Sequence, residues 1–143
     1  MSEWSMDDSS ANYYSGTSSS SSNQMSITMP RGDIRAVYFT VYNNSNGNGE
    51  KTVYDEGFDE IYFTVKTGYN KADYLFQKRL STGDIELMED GVYQFVIEPE
   101  DTDNLKFGAY VFDIELIAGT DIKQTFTGSL TLTNEATHAS NEA

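Results

Sequence analysis

The feature that most limits what this chain can fold into is a period of two. Tyr110, Phe112, Ile114 and Leu116 alternate with Val111, Asp113 and Glu115. Successive side chains of an extended strand point to opposite faces, so this spacing places the apolar set on one side. The pattern recurs along the chain. Val37, Phe39 and Val41 share a face in 34–42; Ile61, Phe63 and Val65 do so in 60–66; Tyr93, Phe95 and Ile97 do so in 92–97. In 122–133, Phe126, Gly128, Leu130 and Leu132 oppose Thr125, Thr127, Ser129 and Thr131, and threonine suits a solvated sheet face. Shorter strands are expected at 26–29, 52–54, 74–80 and 85–88.

Turn residues separate these runs. Asn and Gly fill 43–49, Asp55-Glu56-Gly57 and 118–121 reverse the chain, and Asp90-Gly91 offers the positive φ of a tight hairpin. Seven to nine short strands with no convincing helix predict an all-β fold, an immunoglobulin-like antiparallel β-sandwich. Gln77, Lys78 and Arg79 place charge on an expected edge strand, where it discourages unwanted pairing.

The sandwich is expected over 25–133, between a Ser-rich N-terminal arm (1–24) and a polar C-terminal tail (134–143). The arm is poor in aliphatics and carries an unbroken serine run over 18–22. Such a segment buries too little apolar area to offset its ordering entropy. It does hold Trp4, Met6, Tyr13 and Tyr14, which are the candidate partner-binding residues: aromatic anchors that dock on a neighbouring subunit.

Composition removes several classes of function. The 143 residues include no cysteine, so a disulfide, a zinc-thiolate centre and a cysteine nucleophile are excluded. The single histidine, His138, lies in the tail, which is a poor place for a catalytic relay. The net charge of −14 repels phosphate backbones and anionic lipid, so neither nucleic acid nor membrane is an expected partner. The first 26 residues carry no apolar signal core, and no secretory signal is expected.

Three constellations invite a chemical reading. Glu98, Glu100, Asp101, Asp103 and Asn104 could offer oxygens to calcium, but their spacing does not match a helix-loop-helix calcium loop. The structural alternative is a corner. There Asp101 or Thr102 caps a short turn, and the Tyr110 hydroxyl bonds back to upstream backbone as the chain crosses between sheets. Paired carboxylates for glycoside hydrolysis are the second, a weak signal in a chain with 23 acids. Exposed tyrosines are the third: Tyr38, Tyr42, Tyr62, Tyr69 and Tyr74 suit a protein interface. Arg31-Gly32-Asp33 reads as a turn in which Arg31 pairs with a nearby carboxylate. No catalytic, cofactor or metal residue is assigned.

Several motifs in order also resemble a known family. They are 27–33 (Ile-Thr-Met-Pro-Arg-Gly-Asp), Glu60–Lys66, Leu75-Phe76-Gln77-Lys78, Asp90-Gly91-Val92-Tyr93, and Pro99-Glu100-Asp101-Thr102 with Leu105 and Gly108-Ala109-Tyr110. The last is Thr127-Gly128-Ser129-Leu130-Thr131-Leu132-Thr133. Over 25–133 the chain resembles small structural domains of tailed bacteriophages, nearest to the immunoglobulin-like N-terminal domain of phage upper baseplate proteins. The resemblance implies a non-enzymatic virion protein in several copies, joined to baseplate, tail, neck or capsid. It implies other virion proteins and copies of itself as partners. In the baseplate relative this domain leads into receptor-binding parts; a chain of one domain fits a small adaptor or decoration protein attached through its arm. A module that binds a host-surface glycan or protein through loops 43–49 and 67–72 is the alternative.

Overall fold

A computed structural model describes residues 4–8, 24–43, 52–89 and 91–134. Nine strands follow one another: β1 (Trp4–Asp8), β2 (Gln24–Pro30), β3 (Arg35–Asn43), β4 (Glu60–Lys66), β5 (Phe76–Arg79), β6 (Ile85–Glu89), β7 (Val92–Ile97), β8 (Gly108–Ala118) and β9 (Ile122–Thr133). One short helical turn, α1 (Pro99–Thr102), stands between β7 and β8. The strands form two sheets, β1-β3-β7-β6 and β2-β9-β8-β4-β5. The fold is thus the expected all-β sandwich. Its strand order is that of immunoglobulin-type domains, with the first strand divided between the two sheets.

Two corrections concern the N-terminal side. The sandwich does not begin at residue 25. Residues 4–8 pair antiparallel with β3, Trp4 opposite Asn43 and Met6 opposite Val41, so part of the expected arm is an edge strand of the first sheet. Nor is the sandwich wholly antiparallel, because β2 runs parallel to β9, Met25 opposite Gly128 and Met29 opposite Leu132. β1 and β2 touch on one side of the sandwich, each at the edge of its own sheet, and there β2 lies alongside β9 in the same direction.

The alternating residues meet in the middle. Val37, Phe39, Val41, Ile61, Phe63, Val65, Phe95, Ile97, Ile114 and Leu116 are all but completely buried. Rings from the two sheets touch across the interface: Phe63 of β4 lies 4.1 Å from Phe95 of β7, centroid to centroid, and 4.9 Å from Phe112 on the neighbouring strand of its own sheet. Without cysteines, this aromatic contact ties the sheets together, and such pairs add about 0.5–1.5 kcal/mol beyond their buried area. Gly91 takes φ +75°, as the Asp-Gly hairpin requires.

Candidate functional site

The acidic corner between β7 and β8 is held by its own side chains. Pro99 starts α1 with a preset φ, and the Asp101 carboxylate turns back to accept the Glu98 N–H at 2.7 Å. The same carboxylate lies 2.7 Å from Lys78 Nζ on β5, with only 12% of the lysine side chain and 14% of the aspartate exposed. This ion pair links the edge of the five-stranded sheet to the corner that follows the four-stranded one. Lys78, expected as a solvated edge charge, is therefore a largely buried tie between layers.

Thr102 is fully buried, and its Oγ1 accepts the Gly32 N–H at 2.8 Å. Arg31 donates from Nη1 to the Leu105 carbonyl at 3.2 Å and stacks 4.4 Å from the Phe107 ring centroid. The Arg-Gly-Asp turn is thus packed against the corner. Tyr110 completes it: its hydroxyl donates to the Lys106 carbonyl at 2.7 Å, the corner bond read from the sequence. Among the described residues, no three histidine, aspartate or glutamate side chains converge as metal ligands do.

A shallow open groove of about 370 Å³ runs beside the corner, lined in part by Asp84, Glu86, Glu98 and Glu100. Among the described residues, the carboxyl that departs upward from its ordinary value is elsewhere. Asp113 stands on the outer face of β8, level with Thr64 and Thr127. Burial pushes it up, Lys66 opposes this, and Glu115 adds to it. Glu60 goes the other way: burial would raise it, but hydrogen bonds from Ser81 and the Ile61 N–H, with Arg79 nearby, hold it below the usual range. Burial, with a smaller contribution from Tyr54, pushes the Tyr93 hydroxyl up to about 12.

The expected partner-binding residues divide. Trp4 and Met6 are buried in this chain's own sandwich. Trp4 packs 4.9 Å from the Tyr54 ring and 6.1 Å from Phe58. In this structure they occupy their own sandwich where a neighbouring subunit was expected: apolar side chains on a strand facing an open sandwich edge bury most area by turning inward. Tyr13 and Tyr14 lie outside the described residues, as do the 44–49 part of the first expected recognition loop and the tail from 135. Tyr69 and Tyr74 are each 52% exposed. Tyr69 is not wholly free, because its hydroxyl donates to the Gly128 carbonyl at 2.8 Å. Tyr38, Tyr42 and Tyr62 are half-buried on the sheet faces.

Sequence reasoning missed a different surface. Leu87 and Met88 on the edge strand β6 are 54% and 46% exposed, and the β6–β7 register shifts between Leu87 and Glu89. The sequence signal was present in Ile85-Glu86-Leu87-Met88, where two adjacent apolar residues break the alternation and one must face out.

No family model matches this chain, and no curated protein does. Among solved structures, a family 123 glycoside hydrolase from Clostridium perfringens, studied for glycolipid glycan hydrolysis, is similar at 12% identity with a TM-score of 0.44. The likeness covers 81% of this chain and 24% of that one, so the chain spans about a quarter of the hydrolase's length.

Proposed function

We propose that the chain is a non-catalytic structural domain of a tailed-bacteriophage particle, present in several copies and docked on other virion proteins through its sandwich surface. The observation that carries the non-catalytic part is the corner. Its most suggestive polar residues, Asp101, Thr102, Arg31 and Tyr110, each hold backbone or a buried counter-charge. Chemistry committed to holding a chain crossing supports a structural role for the richest polar cluster in the sequence. The exposed Leu87 and Met88 on β6 support docking of another protein, since apolar residues grouped on a strand edge mark contact surfaces. The phage assignment rests on the ordered motifs over 25–133.

The test is composition of purified particles. The chain should co-band with intact particles on a density gradient, at a fixed ratio to the major tail or capsid protein. Recovery only in the free-protein fraction would sink the reading. A second reading, host-surface recognition, draws support from Tyr74 beside Leu75, both exposed ahead of β5. Particles carrying Tyr74→Ala should then assemble normally and adsorb poorly; normal adsorption removes that reading.

A further inference from the structure

We infer that β1 is an exchangeable strand, able to take its seat against β3 either in its own chain or in a second copy of this chain. More residues join β1 to β2 than the gap between the sheets needs. β1 ends at Asp8 on the edge of one sheet and β2 begins at Gln24 on the edge of the other. Packed sheets lie about 10 Å apart. Three or four extended residues cross that gap. The sequence places fifteen residues, 9–23, between the two strands, and they are mostly Ser, Asn, Gly and Thr. Fully extended, they reach about 50 Å. A domain of this length is roughly 35–40 Å across. β1 can therefore arrive at the β3 edge of a neighbouring copy.

The strand is built for such a transfer. Among the described residues it is an edge strand paired with β3 alone, so leaving breaks one ladder. It carries its own anchors, since Trp4 and Met6 fill the core from a five-residue element. The identical seat exists in every copy, so exchange restores the same ladder and the same burial. This is β-strand addition between like chains. Position in the fold does not choose between the two arrangements; concentration does. A Ser-rich linker of fifteen residues holds its own strand at an effective concentration on the order of millimolar. Exchange in trans competes where copies are held at comparable density. The inference goes beyond membership of a particle, and its outcome does not depend on it.

The chain lacks cysteine, which makes the test clean. Ser5 lies directly opposite Tyr42, within the reach of a disulfide. The Ser5 hydroxyl is buried without a hydrogen-bond partner, so a thiol can replace it with little disturbance. A Ser5→Cys chain is mixed with a Tyr42→Cys chain at about 1 mM, the density set by the linker, and oxidised. A covalent heterodimer whose yield rises with concentration is expected. Monomers alone, while the double variant closes within one chain, overturn the inference. Isotope-filtered NOEs between labelled and unlabelled native chains give an independent answer. Met6-to-Val41 contacts across copies support exchange, and their absence at that concentration overturns it, whatever the thiols do.

Discussion

Tyr110 and Gly128 show what single residues contribute here. The Tyr110 hydroxyl closes the corner on the Lys106 carbonyl, and the site is partly exposed. Tyr110→Phe removes one neutral hydrogen bond and nothing else, so urea unfolding should show a loss of about 1 kcal/mol with an unchanged slope. Gly128 is a harsher constraint. A Cβ there would collide with the Met25 carbonyl oxygen and the Phe112 ring. Gly128→Ala must push β2 and a core ring aside, and about 2–3 kcal/mol of destabilisation is expected in the same assay. Asp113 gives a pH signature. Its native pKa is raised, chiefly by burial, above the unfolded value. The stability linked to this group is therefore present below the unfolded pKa and is lost as pH rises through the native one. Asp113→Asn does not titrate. It should unfold at higher urea than the parent at pH 7, and the difference should shrink as pH falls through the raised native pKa and be gone below the unfolded value of about 4.

At the scale of elements, β1 is the instructive case. It covers the edge of β3 and closes one side of the core with Trp4. Trp4→Ala should cost about 3–5 kcal/mol, measured by far-UV circular dichroism because the chain's only tryptophan is gone. A free, solvated arm would lose almost nothing on the same change. The long strands were legible because four or five alternating positions set period and face together, as Phe112, Ile114 and Leu116 do. β1 was not, because Trp4-Ser5-Met6 supplies a single alternation, embedded among acidic and serine residues that argue for an unfolded leader. Strand direction was equally hidden: the parallel pairing of β2 with β9 follows from where the chain crosses, and side-chain period carries no sign of it. At the corner the residue types were legible. Tyr110 and Asp101 took the roles their order suggested, whereas the Lys78 partnership required knowing that β5 ends beside α1.

For the whole molecule, residues 4–8, 24–43, 52–89 and 91–134 form one cooperative sandwich, with its polar corner spent on architecture and its contacts left to the surface. The acidic balance of the chain, −14, keeps such a domain soluble when many copies are crowded together. Trp4 reports on the central claim directly, because it is the only tryptophan and sits 6% exposed at the far N-terminal end of the fold. The decisive measurement is its fluorescence during urea unfolding, followed alongside far-UV circular dichroism. The account predicts a blue-shifted, poorly quenched emission in the native protein and a red shift whose midpoint coincides with loss of the sheet signal. A water-exposed emission before any denaturant is added, or a Trp4 transition well ahead of the sheet transition, would contradict it.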